Sequence, residues 1–215
     1  REKGITIKMQ PVRMMWRPTQ EMGLGNEEFM LNLIDTPGHV DFTYEVSRAL
    51  AAVESAILLV DATQGVQAQT LANLHLAQKE GVVIIPAINK IDLASADVPA
   101  VEKELEQLLG IASEDIYKIS AKMGTGVSEL LAGVIQKTPL LKQSSGDSVQ
   151  ALIFDSKFDP YQGVIAHVRV FEGSITPKIS LFFMASGAKC EALEVGVFLP
   201  QRTVTRCLSS GEIGY

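Results

Sequence analysis

Asp35, Gly38 and His39 fall within five residues of one another, directly after the apolar run Met30-Leu31-Asn32-Leu33-Ile34. That order reads as a strand, a tight loop and then a helix. In an open α/β sheet such a loop lies at the carboxyl end of its strand, where ligands bind. An Asp placed there can hold Mg²⁺, directly or through water. Gly38 lets the backbone pass close to a phosphate with its N–H unobstructed. Taken alone, Asp-x-x-Gly serves equally well as an ordinary loop with a helix-capping Asp. A second cluster, Asn89-Lys90-Ile91-Asp92, follows the apolar run Val82 to Ile88. There the carboxylate of Asp92 can accept from both the ring N–H and the exocyclic amine of guanine, a pair that adenine does not present. Asn89 would tie the loop together, and the stem of Lys90 would lie along the base.

The elements that must position these residues are legible in the hydrophobic pattern. Pro11 to Trp16 and Glu28 to Ile34 flank a Gly23-x-Gly25-Asn26 turn, which predicts an antiparallel hairpin at the edge of the sheet. Phe42, Val46, Ala49, Leu50 and Val53 share a helical face. Ala56 to Val60 is a continuous apolar run, as in a parallel strand buried on both faces. A helix is predicted from Gln67 to Lys79, closed by Gly81. Val82 to Ile88 forms the next strand, with Pro86 awkward within it. In the following helix Val98, Val101, Leu105, Leu108 and Leu109 share one face, and Glu102, Lys103, Glu104, Glu106 and Gln107 read as solvated surface on the other. Ile116 to Ile119 is a strand, and Val127 to Gln136 a last helix. Past the Pro/Ser/Gly-bearing stretch around Thr138 to Ser148 the pattern changes period. Short strands at Val149–Phe154, Gly163–Phe171, Lys178–Met184, Lys189–Phe198 and Gln201–Leu208, punctuated by Glu172-Gly173 and Ser186-Gly187, predict an all-β barrel.

The chain has 215 residues, 47% of them apolar, which is enough for a real core and for one or two domains. Its longest apolar runs are too short to span a bilayer, and no charged-then-apolar export signal opens it, so the cytoplasm is the default expectation. Cys190 and Cys207 form neither a metal spacing nor a disulfide framework and are expected to be small buried hydrophobes. His75 and His167 have no ligand partners at useful spacing and are expected to be structural. A net charge of -6 argues against bulk attraction to nucleic acid, so any RNA contact must be local.

Asp35-Thr36-Pro37-Gly38-His39-Val40-Asp41-Phe42 resembles the third GTPase motif of the translational GTPases, the family of elongation factors Tu and G. Arg1-Glu2-Lys3-Gly4-Ile5-Thr6-Ile7-Lys8 resembles the second motif, Asn89-Lys90-Ile91-Asp92 the guanine motif, and Ser120-Ala121-Lys122 the fifth. Further matches, at Tyr44 to Arg48, Gln64 to Asn73, Gln150 to Ser156 and Gly196 to Pro200, point to a single member of the family.

The resemblance implies an α/β fold: a P-loop GTPase domain over residues 1–137, with a mostly parallel sheet and helices on both faces, then a linker over 138–148. A translation-factor β-barrel follows over 149–215. It implies GTP and Mg²⁺ as cofactors, with Thr6 and Asp35 at the metal. Asp35, Gly38, Asn89, Lys90, Ile91, Asp92, Ser120, Ala121 and Lys122 would bind GTP or GDP. His39 would be catalytic, orienting the attacking water and set in place by ribosomal RNA. The ribosome is the implied partner and DNA is not. A monomer is expected, cytoplasmic or peripheral on the cytoplasmic face of the membrane.

The chain also departs from the family pattern. It contains no Gly-x-x-x-x-Gly-Lys-Ser/Thr, the loop that cradles the β- and γ-phosphates. The GTPase domain is therefore expected to be incomplete, Ala56 to Val60 and its neighbours to expose unpaired apolar edges, and the chain alone to be inactive. Gly211 to Tyr215 reads as a strand cut off partway, so the barrel is expected to be incomplete as well. Lys157 stands where the family usually has an aromatic, and Lys178-Ile179 where it usually has a Gly-Asp turn. The alternative reading is a module that keeps sheet and barrel but neither binds GTP nor hydrolyses it, and instead binds the ribosome or a protein.

Overall fold

The computed structural model describes residues 9–38, 40–139 and 148–215. Thr6, His39 and most of the predicted linker lie outside the described residues. The described residues form two compact units. One comprises 9–16, 29–37 and 148–215, and the other 17–28, 38 and 40–139.

In chain order, β1 (Gln10–Trp16) and β2 (Phe29–Asp35) form the predicted antiparallel hairpin, with Gln10 opposite Asp35 and Trp16 opposite Phe29. Between them a 3-10 turn at Gln20–Met22 is closed by Gly23 in the left-handed conformation. The predicted place of this hairpin is corrected. It forms a two-stranded sheet of its own and packs against strands of the first unit, instead of edging the parallel sheet. No described strand bridges β2 to the parallel sheet, so its ladder has nothing to extend.

The second unit holds α1 (Thr43–Leu50), β3 (Ser55–Asp61), α2 (Ala68–Glu80), β4 (Val83–Asn89), α3 (Val98–Leu109), β5 (Tyr117–Lys118) and α4 (Val127–Lys137). The sheet is parallel in the order β3-β4-β5. Two of these helices are both started and stopped by local devices. Gln67 and Thr70 form a reciprocal capping box at the start of α2, and Gly81 ends it with φ +72°. Asp97 caps α3 by accepting from the Ala100 N–H at 3.1 Å, and Gly110 ends that helix with φ +66°.

β4 carries the core. Ile84 and Ile88 face α1 to α3, packed with Val46, Leu50, Ala77, Val101 and Leu105, while Ile85 and Ala87 face Leu130 of α4. The sequence assigns two-faced burial to Ala56–Val60 as well. Among the described residues β3 is an edge strand with no strand paired on its outer side, as expected of a chain without the phosphate-loop motif, and Leu59 is 52% exposed. Pro86 is accommodated by parity. The Val83 N–H donates to the Glu54 carbonyl, which turns odd-numbered residues of β4 toward β3. Pro86 therefore faces β5, whose pairing begins only at Ala87, and its missing N–H interrupts no ladder.

The polar face of α3 is not simply solvated. Glu102 pairs with Lys118 at 2.5 Å and accepts from the Ser113 hydroxyl, and Glu104 accepts from the Val66 N–H at 2.9 Å. The bond from Lys118, then that from Ser113, outweigh partial burial and hold the Glu102 carboxyl below its ordinary pKa.

The remaining strands are antiparallel: β6 (Gln150–Asp159), β7 (Gly163–Glu172), β8 (Ser174–Ile175), β9 (Ser180–Phe182), β10 (Lys189–Glu191), β11 (Gly196–Phe198), β12 (Arg202–Val204), β13 (Leu208–Ser209) and β14 (Ile213–Gly214). Val170, Ile175, Val195, Val197 and Leu208 form their core. The single strand predicted over Lys189–Phe198 is two, since β10 pairs with β9 whereas β11 pairs with β12. Arg13 of the hairpin joins this unit through an ion pair with Glu212 at 2.9 Å. Cys190 and Cys207 are both free and exposed, against expectation. Cys190 sits on a short strand that is exposed throughout, and Cys207 lies between β12 and β13. Lys178 has φ +69°, so where the family usually has Gly this chain holds a lysine in the conformation that favours glycine. No helix among the described residues is long and apolar enough to cross a membrane.

Candidate functional site: a base-binding mouth at the end of the parallel sheet

β3, β4 and β5 run in one direction, so the loops after them open at the same end of the sheet. Asn89, Lys90, Ile91 and Asp92 leave β4 there, and Ser120, Ala121 and Lys122 follow β5. The structure brings these seven predicted residues together.

Asn89 acts through its side-chain oxygen, which accepts from the N–H of Lys90 at 2.8 Å and from that of Ala121 at 3.0 Å. One amide thus joins the two loops. Lys90 turns the chain with φ +67°, one of two non-glycine residues described in that region, and such strain concentrates at ligand sites. Asp92 is exposed. Its Oδ1 accepts from the Ser120 hydroxyl at 2.6 Å, and the Ser120 oxygen accepts from the Met123 N–H at 3.2 Å. Ser120 is itself buried, at 1% exposure, so the bond is anchored from beneath. That bond, despite some desolvation and helped by the nearby Lys122, holds the Asp92 carboxyl below its ordinary pKa and therefore ionised as an acceptor.

The fifth-motif loop uses its backbone differently from a simple row of open donors. The Ser120 N–H donates to the Thr125 carbonyl at 2.9 Å, closing a tight loop, and the Ala121 N–H is taken by Asn89. Sequence reasoning missed the part played by the Ser120 side chain. Its signal, a hydroxyl after a strand that faces an Asp after the neighbouring strand, appears only once the strand order is known.

Of the residues expected at the phosphates, Asp35 closes β2 in the first unit and is exposed. A Cβ added to Gly38 would meet nothing within 4 Å, so no packing among the described residues demands glycine there. Among the described residues no three His, Cys, Asp or Glu side chains gather as a metal cage. An exposed carboxylate such as Asp35 suits Mg²⁺, which takes one or two protein oxygens and completes its shell with water and phosphate. Thr6 and His39 fall outside the described residues.

Comparison with known proteins places this geometry in a family. Residues 1–140 match the family described as the elongation factor Tu GTP binding domain. Over all 215 residues the chain is 48% identical to elongation factor 4 of Syntrophomonas wolfei, 49% to that of Aquifex aeolicus and 50% to that of Rubrobacter xylanophilus. It spans 35% of the length of each. A solved structure from Thermus thermophilus is similar over 98% of this chain and 44% of that one, with a TM-score of 0.78 at 17% identity, a likeness of fold alone. The short matches from Tyr44 to Pro200 agree with the relatives at elongation factor 4, also called LepA. The chain belongs to the translational GTPases built on the elongation factor Tu GTP-binding domain.

Proposed function

We propose that this chain supplies the guanine-recognition side of a GTPase that, as a complete protein, hydrolyses GTP on the ribosome during elongation. The observation that carries the reading is the Asp92 carboxylate, exposed at the mouth yet fixed by a buried Ser120 hydroxyl at 2.6 Å. A carboxylate so held faces the ring N–H and exocyclic amine of guanine without first reorganising, and such pairing can discriminate by about 10⁴-fold. Asn89 ties the two loops, the stem of Lys90 lies along the base, and the Lys122 N–H is the remaining donor of its loop for the guanine oxygen.

Thr6 and Asp35 would hold Mg²⁺, which when bound would screen the phosphate charge. Gly38 offers its N–H to a phosphate, and His39 orients the attacking water once ribosomal RNA sets it in place. These roles, the ribosome as partner, the monomeric state and a cytoplasmic or peripheral-membrane location are carried by the family resemblance. So is the division into GTPase domain, linker and barrel at residues 137 and 149.

Two experiments test the reading. In the full-length protein, Asp92→Asn should shift preference from GTP toward XTP, and unchanged selectivity would remove Asp92 from the base site. The chain over residues 1–215 lacks the phosphate-loop motif. Four charge-assisted bonds forgone there amount to about 6 to 12 kcal/mol, on the order of 10⁴- to 10⁸-fold in affinity. Calorimetric titration with GTP and Mg²⁺ should therefore show no measurable binding by this chain, beside binding by a version that carries the loop. Micromolar binding by the short chain would favour a phosphate site built from other residues.

A further inference from the structure

Asp61 ends β3 directly opposite Asn89 in the parallel register, one strand away from the guanine motif. Its two carboxylate oxygens have separate partners. Oδ1 accepts from the Thr63 N–H at 2.9 Å and from the Thr63 hydroxyl at 2.7 Å, whereas Oδ2 meets the Lys90 Nζ at 2.5 Å. The turn beyond it is fastened as well. Gln64 and Gly65 donate their N–H groups to the Asp61 carbonyl at 3.1 and 2.9 Å, and the Ala62 N–H donates to the Asn89 carbonyl at 2.9 Å. Burial pushes the Asp61 carboxyl up in pKa, but the bonds from Lys90 and Thr63 outweigh it, so it stays ionised opposite the ammonium.

An ion pair with its lysine 49% and its aspartate 20% exposed adds little to stability. Its consequence is geometric. Lysine is a flexible four-carbon stem with large rotamer freedom. Here its backbone end is fixed by the bond from the Lys90 N–H to Asn89 and its far end by Asp61. A stem held at both ends is a preformed rail, and a flat base that stacks on it need not immobilise it first.

We propose that Asp61 is a positioning residue for nucleotide binding: it acts through Lys90, by holding the Nζ so that the stem is already laid along the guanine ring. The inference rests on the guanine-site reading given above and adds to it a residue outside the motifs.

The test is a double-mutant cycle in the full-length protein, read as affinity for a fluorescent GDP. Asp61→Asn keeps an oxygen for Thr63 but loses the charge opposite Lys90, and should weaken GDP binding by about threefold to tenfold, the scale of one immobilised long side chain. Lys90→Met should weaken it by a similar or larger factor. In the Lys90→Met background, Asp61→Asn should then cost almost nothing, since Asp61 has no lysine left to hold. Equal factors in both backgrounds would overturn the proposal and make Asp61 a residue of the turn alone. If Asp61→Asn does not fold, Asp61→Glu, which shifts the charge by one methylene, carries the same cycle with the same two outcomes. Asp92→Asn is assayed in parallel for GDP against XDP. A shift to XDP beside an additive cycle refutes the part assigned to Asp61 while the guanine site stands. No shift refutes the guanine site and the proposal with it.

Discussion

Gly126 joins the fifth-motif loop to α4, and its replacement by Ala is the sharpest test of how that loop is built. The residue is the N-cap of α4 with φ +71°. A Cβ there would strike the carbonyl oxygen of Lys118 and lie 3.2 Å from Ile119 Cγ2. That carbonyl belongs to β5, which pairs with β4, so it cannot withdraw without opening the sheet. The left-handed conformation costs a residue with a Cβ about 1 to 2 kcal/mol, and overpacking against unyielding atoms about 1 to 3 kcal/mol more. The sum is about 2 to 5 kcal/mol, a large share of a domain's stability. Gly124→Ala is the control within the same loop, with φ +80° but nothing within 4 Å of the added carbon. It should show the conformational cost alone. All four described α-helices lie in the second unit and the single Trp, Trp16, in the first. Urea unfolding followed at 222 nm therefore reports the unit that contains Gly126, and Trp fluorescence reports the other. Gly126→Ala should lower the 222 nm midpoint by at least twice as much as Gly124→Ala and leave the fluorescence midpoint in place. Equal shifts for the two variants would refute the collision with Lys118.

Three further outcomes are expected. Lys178→Gly should stabilise the first unit by up to about 1 kcal/mol, read as a higher midpoint of Trp fluorescence, because relief of a positive φ of +69° exceeds the entropy that glycine adds to the unfolded chain. His167 is packed at 4.8 Å from Phe198 and 6.1 Å from Phe154, and burial lowers its pKa from 6.5 although Asp155 at 3.5 Å pulls it back up. The unfolded chain then takes up the proton first, so the stability of this unit should fall as pH drops below about 6.5 toward the depressed folded value; a slope unchanged in His167→Gln would assign it to another group. His39→Ala in the full-length protein should lower ribosome-stimulated turnover by about 10²-fold or more while GTP affinity holds, and collapse of binding with turnover per bound GTP intact would make His39 structural.

The parts legible in the sequence were those whose cause is local. The apolar run ending at Ile88, the glycine at 81 and the Asn-Lys-x-Asp order each carry their own signal, and each has its element in the structure. What escaped depends on partners distant in the chain. Ala56–Val60 and Val82–Ile88 have nearly the same composition, yet among the described residues only the second lies between two strands; the exposed edge of the first is expected from the family resemblance alone, since strand order is not written in either run. Glu102 and Glu104 look like any solvated pair on a helix until Lys118 and the turn at Val66 come to meet them. Asp61 lies 29 residues from the lysine it holds, a separation at which spacing carries no signal. The break between β10 and β11 follows from a change of pairing partner that no residue at the break announces.

The bonds that the Asn89 side chain makes to two loops bear on the timing of nucleotide exchange. A ligand contacted by independent loops can leave by stages, as each loop opens on its own and closes again. Here a single oxygen holds the N–H groups of Lys90 and Ala121, so neither loop can swing away without giving up its bond to the other. The two loops become one opening unit, and release of the base becomes one cooperative event instead of two partial ones. In hydrogen exchange the Lys90 and Ala121 amides should accordingly lose protection together. Truncating Asn89 to Ala should separate their rates and speed dissociation of the base more than it slows its arrival.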